Sequence, residues 1–119
     1  MPASPLCRLL LVEDDPIVRD VIMMMLEDDY DVVHAASAAS AIEQLQSADA
    51  AEIGVLLLDC LLPLGHVADV LTSADRQSIP VVLISGDHRQ AIAVDATRPF
   101  LSKPFTQAAL LNVLDSARR

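Results

Sequence analysis

Five short apolar runs alternate with longer helical patterns, and this alternation constrains the fold more than any other feature of the sequence. The runs are mostly rich in branched residues and are bounded by proline, glycine or acidic residues, as β-strands are. They cover residues 8–12, 31–36, 54–59, 80–85 and 99–103. Strands that alternate with helices form a parallel sheet with right-handed crossovers and helices on both faces. We therefore predict a doubly wound α/β domain with a five-stranded parallel sheet.

The segments between the apolar runs indicate where two of the helices begin. Asp15 is expected to cap the first helix, and Pro16 suits its first position, where a proline loses no helical hydrogen bond. In the second helical segment, Ser40 and Glu43 have the spacing of a capping box. The first helix would place its apolar residues on one buried face, which comprises Ile17, Val18, Val21, Ile22, Met25 and Leu26.

Length and charge restrict the function classes that the chain can belong to. A chain of 119 residues suits one domain with one core. Its 17 acidic and 8 basic residues give a net charge of −9, which argues against direct binding to nucleic acid. No apolar run approaches the roughly 20 residues that span a bilayer, and the N-terminus lacks a signal-peptide pattern. We therefore expect a cytoplasmic protein without a membrane partner.

The two cysteines, Cys7 and Cys60, do not have the spacing of metal ligands. Cys7 would open one strand and Cys60 would follow the end of another, so that they would lie at opposite edges of the sheet. A disulfide between them is therefore not expected. Both are interpreted as small buried hydrophobic residues.

The carboxyl ends of the predicted strands carry several ionisable side chains, and function gathers at this edge of a parallel sheet. Carboxylates that lie so close repel one another, so that one takes a proton or a cation binds. A hard divalent ion with oxygen ligands, such as Mg²⁺, fits best. Lys103, the only lysine in the chain, offers a compact charge for a phosphoryl oxygen or a carboxylate. The other polar residues at the strand ends are Glu13, Asp14, Asp15, Asp59, Ser85 and Ser102.

Four motifs follow one another in the order "LLLVEDDP", "LLLDCLLP", "VVLISG" and "FLSKPF". In this order they resemble the receiver domain of bacterial two-component response regulators, over nearly the whole chain. The resemblance implies that residues 1–119 form one receiver domain with the flavodoxin-like strand order 2-1-3-4-5. It also implies a signalling protein that assists its own phosphorylation and dephosphorylation, and not an enzyme. No effector domain follows Arg119, so we expect a stand-alone phosphoacceptor that signals through protein contacts.

The resemblance assigns a phosphoacceptor and a metal site. Asp59 would attack a phosphohistidine on a sensor histidine kinase or a histidine phosphotransfer protein and form an aspartyl phosphate. Asp14 would bind Mg²⁺ directly, and Glu13 would bind it largely through water. Leu61 would contribute only its backbone carbonyl, and Asp59 would complete the metal site.

The resemblance also assigns the residues that would respond to the phosphoryl group. Lys103 would hold one phosphoryl oxygen, and Ser85 would donate a hydrogen bond to another. Phe100 stands at the position of the family's aromatic switch. Pro104 would follow a cis peptide bond from Lys103.

The chain departs from the family pattern around its third and fourth helical segments. The usual Asp–Gly after the loop proline is replaced by "PLGHVADVL". From Asp59 to Ser85 there are 26 positions, and from Ser85 to Lys103 there are 18. Each interval is shorter than the family pattern by about one helical turn. The helices near 66–75 and 87–96 are therefore predicted to be short or irregular.

Other polar residues are interpreted as structural. Asp87 reads as a loop carboxylate, and Tyr30 reads as part of a solvated turn in the charged run "EDDYD". The three histidines, His34, His66 and His88, do not have the spacing of metal ligands.

Four other functions compete with the phosphoacceptor switch. The chain could shuttle or absorb phosphate in a phosphorelay, or act as an adaptor that needs no phosphorylation, although the complete set of site residues disfavours the adaptor. An Mg²⁺-dependent phosphohydrolase with an aspartyl nucleophile generally needs a second aspartate two residues on, where this chain has Leu61. A flavin-binding module is disfavoured because acidic residues after the first strand would repel the cofactor phosphate.

Overall fold

A computed structural model describes residues 6–62 and 66–119, and its five strands lie close to the predicted ones. All neighbouring strands pair in parallel, in the order β2-β1-β3-β4-β5. The predicted α/β class and strand order are therefore confirmed. The strands are β1 (Cys7–Val12), β2 (Tyr30–Ala35), β3 (Ile53–Asp59), β4 (Val81–Ser85) and β5 (Phe100–Ser102).

The described residues also contain five α-helices and one short 3₁₀ helix, Ala48–Glu52, which connects α2 to β3. Three of the α-helices have eleven residues and two have eight. They are α1 (Pro16–Leu26), α2 (Ala38–Leu45), α3 (His66–Arg76), α4 (His88–Asp95) and α5 (Gln107–Ala117).

The start of α1 is confirmed and the predicted capping box of α2 is wrong. The Asp15 side chain accepts hydrogen bonds from the backbone N–H groups of Ile17 and Val18, and Pro16 is the first helical residue. In α2 the capping residue is Ser37, whose hydroxyl accepts from the N–H of Ser40. Ser40 therefore lies inside the helix, because an equally good capping serine stands one turn earlier.

The prediction of short third and fourth helices is confirmed for α4, with eight residues, and wrong for α3, with eleven. α3 is as long as α1 and α5 because it buries apolar side chains at helical spacing between its many polar ones. These buried residues are Val67, Val70, Leu71 and Ala74. Residues 63–65, where the "PLG" departure begins, lie outside the described residues.

Two apolar layers cover the sheet, one on each face. One layer packs α2, α3 and α4 against the sheet, and the other packs α1 and α5 against the opposite face. All seven residues of β3 are buried, as expected for a central strand that is covered on both sides. This packing fixes the strand ends relative to one another, and therefore positions the polar side chains that follow them.

Two individual expectations about burial are wrong. Tyr30 is the first residue of β2 and is buried, and its hydroxyl donates to Asp115 Oδ1 over 2.5 Å. On α1, Ile17 and Val21 are exposed, because the side of the helix that faces the sheet is the one that carries Val18, Ile22 and Leu26.

Both cysteines are free, as predicted. Cys60 is buried and Cys7 is half-buried. Among the described residues, no helix has the length and apolar character that a membrane span requires.

Candidate functional site

The predicted site residues meet at one edge of the sheet. Asp59 is the last residue of β3 and Ser85 is the last residue of β4. Glu13 and Asp14 follow β1, and Lys103 follows β5. Because all the strands are parallel, their carboxyl ends lie at the same edge, around a cleft of about 400 Å³. The cleft is lined by Glu13, Asp14, Asp15, Val18, Asp59, Leu61 and Lys103.

The Asp59 carboxylate is held through both of its oxygens. Its Oδ1 accepts a hydrogen bond from the backbone N–H of Leu61 over 2.9 Å, and its Oδ2 lies 3.4 Å from Nζ of Lys103. The residue is 1% exposed, yet it lines the cleft. A buried carboxylate needs such partners, since its desolvation is otherwise costly. The arrangement orients Asp59 towards a ligand in the cleft.

Glu13 is buried beside Asp59, and few contacts compensate for the burial of its carboxylate. Its Oε1 lies 3.6 Å from Nζ of Lys103, and neither carboxylate oxygen has a hydrogen-bond partner among the described residues. Burial, followed by the proximity of Asp59, raises the pKa of Glu13 from its ordinary value of 4.5 to about 8. Lys103 opposes this rise without cancelling it. When Glu13 and Asp59 are both ionised, the site therefore holds more negative charge than one ammonium group neutralises.

The carboxylates of Glu13, Asp14 and Asp59 are suited to a divalent cation. One oxygen atom from each lies within 4.8 Å of the others, and Asp14 is exposed to solvent. The two buried carboxylate oxygens of Glu13 accept no hydrogen bond. A bound cation could take them as ligands and compensate for their desolvation. Hard carboxylate oxygens with access to water are the ligands that Mg²⁺ prefers. The residues present therefore fit the predicted Mg²⁺.

Lys103, which directly follows β5, lies near the buried carboxylates of both Glu13 and Asp59. Its backbone N–H donates to the carbonyl of Ser85 over 2.8 Å, which ties the end of β5 to the end of β4. The peptide bond between Lys103 and Pro104 is cis, as predicted.

Ser85 is fully buried and its hydroxyl is directed towards the loop that follows β4. Its Oγ lies 2.7 Å from the carbonyl oxygen of Asp87 and 3.1 Å from Oε1 of Gln90, and it accepts from the N–H of Asp87. Gln90 also donates from Nε2 to the carbonyl of Cys60, over 3.2 Å. No sequence motif marks Gln90, because a glutamine in a helix pattern is typical of a solvated face.

The side chain of Phe100 packs against an apolar layer, whereas that of Leu61 is exposed. Phe100 is the first residue of β5 and is half-buried against the apolar layer that contains α4. The Leu61 side chain is exposed at the rim of the cleft, which leaves its backbone for the site.

Asp87, His34 and His66 occupy structural or surface positions. Asp87 caps α4, and its side chain accepts from the N–H of Arg89. The ring nitrogen Nε2 of His34 lies 2.9 Å from the carbonyl oxygen of Glu13 and must donate to it, because a carbonyl only accepts. His66 is an exposed residue at the start of α3.

A family model described as the response regulator receiver domain matches residues 9–115. Among curated proteins, the chain is 28% identical to the alkaline phosphatase synthesis transcriptional regulatory protein SphR of Synechococcus elongatus, over 117 residues. The alignment covers 87% of this chain and 45% of that protein. The chain therefore spans about half the length of this relative.

Solved structures share the fold. A response regulator receiver protein from Sinorhizobium medicae is 27% identical, with a TM-score of 0.80 and coverage of 93% of each chain. The receiver domain of a sensor histidine kinase from Pseudomonas aeruginosa is 24% identical, with a TM-score of 0.79, over 94% of this chain and 97% of that chain. That structure has a magnesium ion coordinated in its active-site cleft.

Proposed function

Because the chain belongs to the response regulator receiver family, we propose that it is a phosphoacceptor of two-component signalling. Asp59 takes a phosphoryl group from a phosphohistidine on a sensor histidine kinase or a histidine phosphotransfer protein. Phosphorylation then changes the protein's contacts with a downstream protein. One observation carries the proposal: Asp59 is a buried carboxylate at a cleft, 3.4 Å from the ammonium of the chain's only lysine.

In the proposed reaction, the Asp59 carboxylate attacks the phosphorus atom of the phosphohistidine. A bond forms between a carboxylate oxygen and phosphorus, and the bond between phosphorus and the imidazole nitrogen breaks. The bonding electron pair stays on that nitrogen, which takes a proton from solvent. The products are an aspartyl phosphate and a neutral histidine.

The residues around Asp59 support this transfer. The N–H of Leu61 and the ammonium of Lys103 hold the nucleophile in place, which removes part of the entropic cost of alignment. Lys103 is also within reach of the charge that the phosphoryl group brings. Glu13, Asp14, Asp59 and the carbonyl of Leu61 would hold Mg²⁺, which when bound supplies positive charge to the carboxylates and the phosphoryl oxygens.

We place the docking surface for the phosphodonor on α1. Its exposed apolar residues are spaced four and three positions apart, which puts them on one side of the helix. Ile17 is 75% exposed and Met24 is 70% exposed, and Val21 lies between them. α1 starts directly after Asp14 and its cap, so this apolar stripe begins at the rim of the cleft. A docked donor would therefore bring its phosphohistidine to Asp59.

Phosphotransfer from a phosphorylated histidine kinase, and from acetyl phosphate, tests the proposal. The protein is expected to gain one phosphoryl group, detected by intact mass, in buffer with Mg²⁺ and not in buffer with a chelator. The Asp59→Asn variant should gain none. The matched control is Asp69→Asn, the same change at an exposed position of α3, which should be labelled as the wild type is. Equal labelling of the Asp59→Asn protein would refute the acceptor.

A further inference from the structure

The side chain of Gln90, on α4, joins two of the strand ends that form the site. Its Nε2 donates to the carbonyl of Cys60, the residue that directly follows Asp59. Its Oε1 faces the hydroxyl of Ser85 at 3.1 Å. A carbonyl only accepts, so the amide N–H must face Cys60 and the amide oxygen must face Ser85. The Ser85 hydroxyl is therefore the donor in its contact with Gln90.

The single hydroxyl proton of Ser85 is donated to groups in the segment that follows β4. Two acceptors share it, the carbonyl oxygen of Asp87 and Oε1 of Gln90. A serine hydroxyl has one proton, so it cannot donate to a phosphoryl oxygen on Asp59 while it donates to these acceptors. In this state Ser85 must give up its contacts with both Asp87 and Gln90 before it can donate to the phosphoryl group.

The same contact anchors the first turn of α4, because few apolar side chains hold this helix to the sheet. Among its described side chains, only Ala91 is fully buried, and Val94 is partly buried against the same layer. The end of the helix is held separately, since the Arg98 guanidinium contacts Asp95 and Asp75 over 2.8 Å each. Release of Gln90 would therefore loosen the start of α4 and leave its end in place.

We propose that Gln90 is a positioning residue that holds Ser85 in its resting orientation and couples the turning of Ser85 to the first turn of α4. The inference rests on the proposed function, since it needs a phosphoryl group at Asp59. Gln90 competes with that group for one hydroxyl proton. A contact made in only one of two states shifts their equilibrium by the free energy of that contact.

Beryllium fluoride, a phosphoryl mimic, tests the inference in the presence of Mg²⁺. The Gln90→Leu variant keeps the size of the side chain and removes both hydrogen bonds. We expect it to bind beryllium fluoride roughly two- to tenfold more tightly than the wild type, because of the two lost bonds the one to Ser85 is a neutral hydrogen bond that holds Ser85 in the resting state. NMR titration of the backbone amides measures the affinity and reports the folding of each variant. Gln90→Met, which is unbranched, gives the same expectation if the leucine variant folds poorly.

The matched control is Gln107→Leu on α5. Gln107 also donates its amide to a backbone carbonyl, that of Met25, but lies outside the cleft lining. Its substitution should leave the affinity unchanged. An affinity of the Gln90→Leu protein equal to or weaker than that of the wild type would overturn the inference.

A double-mutant cycle separates positioning from general loosening of α4. In a Ser85→Ala background the hydroxyl is absent, so Gln90→Leu should no longer tighten binding. An equal gain in that background would mean that Gln90 acts without Ser85, and would overturn the inference. The proposed function fails separately, if the wild-type protein takes up neither a phosphoryl group nor beryllium fluoride at Asp59.

Discussion

At the scale of single residues, Glu13 has the most unusual surroundings in the site. It is 1% exposed and its two carboxylate oxygens accept no hydrogen bond from the described residues, while Asp59 lies beside it. Lys103 offers one positive charge to both carboxylates. Such a buried charge is retained only where something compensates for it, and a bound cation would do so. Glu13 is thus the residue whose titration should report on the metal.

We predict that the metal-free protein loses stability through Glu13 as the pH rises. Its pKa in the folded state is raised from 4.5 to about 8, so the folded state binds its proton more tightly than the unfolded state does. The stabilising contribution is present in full below pH 4.5 and is lost as the pH passes through 8. Urea unfolding of the wild type and of Glu13→Gln, in chelator at pH 5 and pH 8, measures the difference between them.

Glutamine mimics the protonated carboxyl group, so the Glu13→Gln protein should lack this part of the pH dependence. Mg²⁺ should restore stability to the wild type at pH 8, because the metal would supply positive charge to the ionised Glu13. It should restore less to the variant, which lacks that carboxylate. Parallel pH curves for the two proteins would contradict the assigned environment of Glu13.

At the scale of elements, α1 and α4 differ in how they are attached to the sheet. α1 packs Ile22 and Leu26 into one apolar layer and leaves an apolar stripe exposed, whereas α4 buries little. A rigid helix with an exposed apolar stripe beside the cleft suits docking of a partner. A weakly anchored helix suits a change of conformation, since local stability follows buried apolar contact.

We predict that the exposed apolar stripe on α1 is needed for docking of a protein phosphodonor and not for the transfer of the phosphoryl group itself. The double variant Ile17→Ser, Met24→Ser should slow phosphotransfer from a histidine kinase by about fivefold or more, the usual effect of removing apolar anchors from an interface. Its labelling by acetyl phosphate should remain that of the wild type, because that small donor needs no docking surface. Time courses with both donors measure the two rates.

Ile92→Ser on α4 is the control for this prediction, since it also removes an exposed apolar side chain. It should leave transfer from the kinase unchanged. A comparable loss for Ile92→Ser, or a parallel loss with acetyl phosphate, would argue against docking on α1.

At the scale of the whole molecule, charge limits the direct partners of this chain. The net charge is −9, and the curated relative described above is a transcriptional regulator of which the chain covers 45%. We predict that this chain alone does not bind duplex DNA at physiological salt, because it would be repelled by the phosphates. Fluorescence anisotropy with a labelled random duplex measures this, and submicromolar binding would contradict it.

The sequence by itself determined the parallel α/β class and the set of residues at the strand ends. The β3 and β4 runs are short and continuously apolar, and such runs have few solutions other than parallel strands buried on both faces. Parallel strands then bring Asp59, Lys103 and Glu13 to one edge, whatever the details of the loops. The resemblance to receiver domains supplied the strand order, which is confirmed, and the roles of these residues, which stay predictions.

Only the tertiary structure decided how individual side chains are partnered. Local pattern placed Tyr30 in a turn and Ser40 at a helix cap, whereas packing under α5 buries Tyr30, and Ser37 caps α2. Gln90 contacts Cys60, which is 30 positions away in the sequence, and Ser85, which is 5 positions away. No local sequence pattern encodes these contacts. Hydrogen bonds between distant residues depend on where the strands end in space, and packing of the two apolar layers sets those positions.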